Sequence, residues 1–140
     1  MSTVAKILLY DKVGNVLIMR RSDTHPNYPL EADLPGGEVE DGEAIDDAVC
    51  REVAEEVGLR IEASMARLVH ERMTPEGRRD TLFIATLASE KPNVTISWEH
   101  SAYEWIAADD ALDHLDTTDD YMLVVREYLA KQHSDKIEVA

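Results

Sequence analysis

The spacing of apolar and polar residues changes several times along the chain, and each change predicts an element. Two β-rich runs, at residues 4–9 and 16–19, flank a polar turn cluster at 11–15, which is typical of a β-hairpin. Residues 24–37 contain three prolines and two glycines, so we predict a loop there. Between residues 43 and 57, apolar side chains recur at intervals of three and four, which predicts an amphipathic helix.

The second half of the chain predicts shorter elements. The central helix is expected to begin at Asp41 or Gly42 and to end at Gly58, since glycine readily adopts the left-handed conformation that follows a helix. Beyond it we predict strands at 68–69 and 81–87 around a turn at 74–77, and extended segments at 94–98 and 103–106. A short helix is expected at 109–115. A final helix should follow, capped by Asp119 or Asp120 and carrying Met122, Val125 and Leu129 on one side. Strands on both sides of a central helix indicate an α/β fold with a mixed sheet between helical layers.

Composition narrows the possible partners. The chain has 140 residues, enough for one ordinary domain, and 29 acidic against 14 basic residues give a formal net charge of -15. Nucleic acids and anionic membrane surfaces are bound mainly through Lys and Arg, so we expect neither as a partner. Cys50 is the single cysteine, which excludes an internal disulfide and favours a reducing, cytoplasmic compartment. The apolar run near the start is broken by Asp11, so we expect no signal peptide.

Three carboxylates in the central helix indicate a candidate metal site. Glu52, Glu55 and Glu56 are spaced so that all three project from nearly one face of the helix. Such a cluster repels itself, and a hard divalent cation such as Mg²⁺ relieves the repulsion while keeping waters and substrate phosphates as its other ligands. Taken alone, the same spacing is also typical of a solvated acidic helix face.

The residues around these carboxylates match a known motif. The segment GEVEDGEAIDDAVCREVAEEVGL, residues 37–59, resembles the Nudix box, G-x5-E-x7-R-E-U-x-E-E-x-G-U, in which U is a bulky aliphatic residue. Every fixed position is matched here, by Gly37, Glu43, Arg51, Glu52, Val53, Glu55, Glu56, Gly58 and Leu59. The resemblance implies a Nudix-type α/β/α sandwich with a mixed β-sheet, in which the box forms a loop, a helix and a loop. We assign residues 1–132 to this domain and residues 133–140 to a short polar C-terminal tail.

The resemblance also implies an activity and a set of site residues. Nudix hydrolases cleave phosphorus-containing anhydrides in which a nucleoside diphosphate is linked to another moiety, by attack of water on phosphorus. The implied cofactor is Mg²⁺, with Mn²⁺ as a substitute. Glu52 and Glu56 would be its main ligands, Glu55 a third ligand or a water-mediated contact, and the Gly36 carbonyl a further ligand. Arg51 would orient the carboxylates of the box.

Further candidates lie at the ends of the motif and outside it. Glu43, in the family position, holds the start of the helix or binds the metal through water. We group it with Arg20, Arg21 and Gly37 as candidate substrate-binding residues, since an arginine before the box can reach a substrate phosphate. The run from Ser97 to Trp105 resembles a stretch of several Nudix hydrolases in which a glutamate acts as a metal ligand or general base; Glu99 is that candidate here, and Glu104 is the alternative. Four aromatic side chains are candidates for stacking on a base: Tyr28, Trp98, Tyr103 and Trp105.

The sequence leaves the substrate open. Nucleoside triphosphates, dinucleoside polyphosphates and nucleotide sugars all contain the required linkage, and the partner expected in each case is a small nucleotide. Pro75, sixteen residues beyond Leu59, resembles the spacing of ADP-ribose-type enzymes, although a Thr-Pro-Glu-Gly turn is also ordinary in a hairpin. A non-catalytic nucleotide-binding module is a second alternative, which the intact box disfavours. Monomer and homodimer both remain open.

Overall fold

The computed structural model of the chain describes residues 2–139, with side chains as far as Asp135. Its elements are β1 (Thr3–Tyr10), β2 (Asn15–Arg21), β3 (Ala32–Asp33), β4 (Gly36–Glu38), α1 (Ile45–Val57), β5 (Arg67–Met73), β6 (Arg79–Thr86), β7 (His100–Ala107) and α2 (Met122–Val139), with short 3₁₀-helices at Ala63–Met65 and Ala108–His114. The strands form one mixed sheet in the order β3-β2-β1-β6-β5, with β4 paired to β1 and β7 to β2. Only β1 and β6 run parallel among these pairs. The α/β fold predicted from the sequence is confirmed.

The predicted hairpin is correct only at its turn. Asp11 accepts hydrogen bonds from the backbone N–H groups of Val13 and Asn15, which closes the turn. The two strands then pair at Tyr10 and Val16 and separate. Along the same edge of β1, residues 4–6 pair with β4 instead. The separation opens a gap in the sheet, and this gap contains the beginning of the box.

Three boundaries differ from those predicted. Residues 24–37 are not all loop, because β3 and β4 lie within them. Helix α1 begins at Ile45 with Ala44 as its N-cap, since Asp41 and Gly42 form a turn in which Glu43 N–H bonds to the Glu40 carbonyl. Residues 94–98 form no strand, because their N–H groups are used elsewhere: Thr95 donates to the Val57 carbonyl and Ser97 to the Glu56 carbonyl.

Other predictions from the pattern are confirmed. Gly58 ends α1 in the left-handed conformation, with φ 68°, and β5 and β6 flank the turn at 74–77 as an antiparallel pair. The helix expected at 109–115 is the 3₁₀-helix Ala108–His114. Asp119 accepts a hydrogen bond from Tyr121 N–H just before α2, and the predicted face of Met122, Val125 and Leu129 is buried. The backbone of residues 133–139 continues α2, so the division at residue 132 stays a prediction.

A core lies on each face of the sheet. Ile7 and Leu9 of β1 pack in the core that contains α1, while Leu8 packs in the core that contains α2. Because side chains alternate along a strand, Lys6 faces the same side as Leu8 and lies beside the gap between β1 and β2. Within residues 2–139, neither helix is apolar over a length that would cross a bilayer.

Candidate active site

A cavity of about 560 Å³ opens at the gap between β1 and β2, and we call it the site cavity. Its lining includes Lys6, Arg21, Asp33, Gly36, Glu56 and Glu99. Its volume is within the range of small-molecule sites, about 300–1,000 Å³. It contains residues from the sheet, from the box and from the segment before β7, which are far apart in the sequence.

Glu56 is the buried carboxylate of the site cavity. Its residue is only 6% exposed, and its Oε2 accepts a hydrogen bond of 2.8 Å from Gly36 N–H. Burial raises the pKa of Glu56 to about 8, although the nearby Lys6 cation and the Gly36 hydrogen bond oppose the rise. Within the described part of the chain, no Lys, Arg or His forms an ion pair with it. A cation bound from solution would stabilise the ionised form of such a buried carboxylate, because the chain itself provides no ion-pair partner among the described residues.

Two glycines bring the backbone close to the glutamates of α1, Gly36 to Glu56 and Gly37 to Glu52. Gly36 has φ 136°, and a Cβ there would collide with the backbone of Ala5 and Lys6. A Cβ on Gly37 would lie 3.1 Å from Glu52 Oε1, closer than an ordinary contact. A side chain at Gly36 would therefore push the start of the box away from β1, and a side chain at Gly37 would displace the Glu52 carboxylate.

Arg51 connects four carboxylates of the box segment. It donates to both oxygens of Glu43, at 2.9 and 3.1 Å, and its Nη1 donates to Glu52 at 3.1 Å and to Glu55 at 3.2 Å. Glu40 lies further away, at 3.8 Å. Burial raises the pKa of Glu52, and Arg51 opposes that rise. The Glu55 side chain is 58% exposed, so of the three clustered glutamates it lies nearest to solvent.

The three predicted ligands are not gathered around one point. Among the described residues, no three His, Cys, Asp or Glu side chains are placed to hold a metal together, because Arg51 holds Glu52 and Glu55 while Gly36 holds Glu56. The donor chemistry nevertheless fits Mg²⁺, which accepts one or two carboxylates and fills its other positions with water and phosphate oxygens. Glu56 lines the site cavity, whereas Glu52, one helical turn away, is not in the lining but lies beside Gly37, which is. These two carboxylates would hold such an ion.

An ionic network that the sequence did not predict forms the floor of the site cavity. Lys6 Nζ lies 2.8 Å from Asp33 Oδ1, and Arg21 Nε lies 3.2 Å from Asp33 Oδ2. His100 Nε2 lies 2.9 Å from the same Oδ2. Burial alone would raise the pKa of Asp33, but Lys6, His100 and Arg21 hold it well below its usual range. Asp33 is therefore an acceptor only, and His100 donates to it.

The structure separates the two candidate arginines. Arg21 lines the site cavity but is buried, with Nη2 2.8 Å from Asp119 in addition to its contact with Asp33. Arg20 does not line the site cavity; its Nη1 donates to the Leu30 carbonyl. Arg78 is the other arginine in the lining, and it is held by Asp80 and Asp120. The arginines of the site cavity thus already have carboxylate partners.

The candidate outside the box is also in the lining. Glu99 lies at the site cavity with its side chain 38% exposed, and its Oε2 is 3.7 Å from His25 Nε2. Glu104 is on β7 opposite Ile18 of β2 and does not line the site cavity. The two glutamates therefore differ in position, although the sequence left the choice between them open.

Comparison with known proteins identifies the family. A family model described as NUDIX domain matches residues 2–127. The chain belongs to the Nudix family. This confirms the resemblance found in the box, and with it the assignment as a Nudix hydrolase. The family generally uses divalent metal cations and acts on small nucleotides.

Several Nudix proteins are similar to this chain. A curated relative from Klebsiella pneumoniae (strain 342), the nucleoside triphosphatase NudI, is 29% identical over 112 residues, which are 73% of this chain and 79% of that protein. A solved MutT protein from Methanosarcina mazei Go1 has a TM-score of 0.74 at 21% identity, covering 96% of this chain and 94% of its own. An Ap4A hydrolase from C. elegans has a TM-score of 0.67 at 22% identity, covering 94% and 98%. At these identities the solved structures support the fold alone.

Proposed function

We propose that this Nudix hydrolase is a Mg²⁺-dependent pyrophosphohydrolase that converts a nucleoside triphosphate and water into a nucleoside monophosphate and pyrophosphate. The observation that carries the proposal is Glu56, a buried carboxylate with a raised pKa and no ion-pair partner among the described side chains. It lies within an intact box and one turn of α1 from Glu52. This arrangement favours binding of a divalent cation and a phosphate chain over a role in structure alone.

The residues of the site have separate roles in this proposal. A bound Mg²⁺ would neutralise phosphate charge and polarise the bond under attack. Gly36 N–H fixes one oxygen of Glu56, and Arg51 fixes Glu52. Glu99 accepts the proton of the attacking water, since it is a carboxylate of the site cavity that lies outside the box and is partly open to solvent.

The choice of a nucleoside triphosphate rests on the curated relative. The protein from Klebsiella pneumoniae is named a nucleoside triphosphatase, and its similarity spans most of this chain. Dinucleoside polyphosphates, nucleotide sugars and ADP-ribose remain alternative substrates with the same linkage. Pro75 was the argument for ADP-ribose, but it lies in the β5–β6 turn, where Gly77 N–H bonds to the Thr74 carbonyl. A proline is ordinary in such a turn, so its presence gives little support to that substrate. We also propose a cytoplasmic location, which the single cysteine supports.

A substrate panel with product analysis tests the proposal. Nucleoside triphosphates should give pyrophosphate, detected as phosphate only after inorganic pyrophosphatase is added, and EDTA should abolish the reaction. Glu52→Gln and Glu56→Gln should each lower kcat by about 100-fold or more, because these carboxylates act where charge develops in the transition state. Glu90→Gln, at an exposed acid outside the site, is the matched control. Full activity in EDTA, or in both site variants, would exclude this mechanism.

A further inference from the structure

The four aromatic candidates occupy different positions. Trp98 is 67% exposed and does not line the site cavity. Trp105 donates its Nε1 hydrogen to the Pro92 carbonyl and packs against the core of α1. Tyr103 accepts a bond from Val94 N–H and also lies outside the site cavity. Tyr28 is the one of the four that lines it.

The loop that carries Tyr28 holds an unusual backbone conformation. Tyr28 has φ 48° and Leu30 has φ 68°, values in the left-handed region that a non-glycine residue adopts at a cost. Pro26 and Pro29 flank the tyrosine and restrict the chain on both sides of it. The backbone that carries the ring is therefore restricted on both sides of Tyr28.

Arg21 fastens this loop to the floor of the site cavity. Its Nη1 donates to the Asn27 carbonyl at 2.9 Å, and its guanidinium carbon lies 5.6 Å from the centroid of the Tyr28 ring. Asp33 and Asp119 in turn hold Arg21. The ring thus has a cation on one side, yet Tyr28 is still 41% exposed, so part of its surface is free for a ligand.

The other tyrosine of the site cavity is not available in the same way. Tyr121 is 2% exposed, and its hydroxyl donates to the Thr81 carbonyl at 2.7 Å. Lys6 Nζ lies 5.9 Å from the centroid of its ring. Tyr121 is therefore part of the wall, and Tyr28 offers an exposed aromatic surface within the site cavity.

We propose that the base of the nucleotide stacks on Tyr28, and that this contact makes the site cavity select nucleotides over phosphate esters that carry no ring. The proposal deepens the function given above and rests on it. A flat base needs an apolar surface held in place before binding, because ordering that surface would otherwise oppose association. The strained loop, its flanking prolines and the contact with Arg21 supply such a surface. Stacking tolerates any base, since every base has a π-face.

Binding measurements test this directly and do not depend on turnover. Calorimetry with MgCl₂ would compare a purine nucleoside monophosphate with ribose 5-phosphate, which has the sugar and phosphate but no base. The parent should bind the nucleotide more tightly, and Tyr28→Leu should weaken nucleotide binding by about 5- to 100-fold while leaving ribose 5-phosphate unchanged. Tyr28→Phe should resemble the parent. Tyr28→Gly removes the ring and also relieves the positive φ, so it tests the same point without strain. Tyr103→Leu, outside the site cavity, is the matched control.

The outcomes separate this inference from the proposed function. Nucleotide affinity in Tyr28→Leu or Tyr28→Gly equal to that of the parent would overturn the stacking role, and so would a parent with no preference for the nucleotide over ribose 5-phosphate. Loss of affinity in these variants, together with no hydrolysis of any nucleotide by the parent, would retain Tyr28 as a binding residue and reject the hydrolase proposal. In an active parent, kcat for the triphosphate should stay within about threefold in Tyr28→Leu while KM rises, as for a contact made equally in the ground and transition states.

Discussion

Arg51 and Glu43, eight residues apart, form a two-pronged ion pair in which Nε lies 2.9 Å and Nη2 3.1 Å from the two oxygens of one carboxylate. The pair joins the middle of α1 to the residue just before its N-cap. It leaves Nη1 of Arg51 to hold Glu52 and Glu55. The position of a proposed metal ligand therefore depends on a carboxylate that lies more than two helical turns away.

Replacing Arg51 with lysine tests this dependence. Arg51→Lys keeps the charge but removes the planar fork, so Glu43 and Glu52 lose their common donor. We expect kcat to fall about 10-fold or more and the Mg²⁺ concentration for half-maximal rate to rise. Arg67→Lys, on the exposed start of β5, is the control. Parent-like kinetics in Arg51→Lys would mean that a positive charge at this position is sufficient to hold Glu52, without the planar fork of arginine.

The positions of Glu99 and Glu104 predict opposite results for the same substitution. Glu99→Gln should lower kcat by about 100-fold with little change in KM, as for a group that acts mainly in the transition state. Glu104→Gln should behave as the parent, because it lies outside the site cavity. Steady-state kinetics across a range of pH measures both. If Glu104→Gln were the slower variant, the proton would have to be accepted at β7.

Glu56 predicts a pH dependence of stability in the metal-free protein. Its folded-state pKa of about 8 is above the ordinary value of 4.5, so between these values the folded protein binds a proton that the unfolded chain has lost. The free energy of unfolding should therefore decrease as the pH rises through this interval. Glu56→Gln removes this loss, and near pH 8 it should be more stable than the parent by on the order of a few kcal/mol.

Denaturant titration in EDTA at several pH values measures the difference between parent and variant. The pKa of Glu52 is shifted in the same direction, and the Glu52 charge contributes to the shift at Glu56, so the difference reports Glu56 together with its coupling to Glu52. Glu90→Gln should follow the parent at every pH. A difference that stays constant between pH 4.5 and pH 8 would show that Glu56 is ionised in the folded protein throughout.

Mg²⁺ should stabilise the folded protein by mass action. We expect millimolar MgCl₂ to raise the Tm of the parent at neutral pH, and to raise that of Glu56→Gln by less. Sodium chloride at equal ionic strength controls for screening of the acidic surface. Equal shifts in the parent and Glu56→Gln would indicate screening without a site.

The sequence predicts the local parts of this site well. The contact of Arg51 with Glu55 follows from the i, i+4 spacing of a helix, and its contact with Glu52 agrees with the role that the family resemblance implied for it. The family confirmed by the comparisons was visible in the same 23-residue segment. These features depend on neighbours along the chain, so the order of residue types is sufficient to predict them.

The floor of the site cavity depends on distant partners and was not predicted. Asp33 stands in a proline-rich segment that has no periodicity, and its partner Lys6 is 27 residues away. A signal existed at Lys6, because a lone cation in the apolar run VAKILLY, on the face shared by Leu8, requires a buried counter-charge. The sequence alone does not identify which of the many acids provides it, since the separation of β1 from β2 decides that.

The segment before β7 is hydrogen-bonded to the end of α1, and this connection predicts how the site unfolds locally. Thr95 N–H donates to the Val57 carbonyl and Ser97 N–H to the Glu56 carbonyl, the last two carbonyls of α1. Ser97 lies two residues before Glu99. When the end of α1 frays, these amides are released at the same time, so the segment and the helix end should open as one cooperative unit. Amide hydrogen–deuterium exchange should then give Thr95 and Ser97 the same opening free energy as the last turn of α1. Glu56 and Glu99, 43 positions apart in the chain, would leave the site together, so a partly opened molecule would retain neither acid.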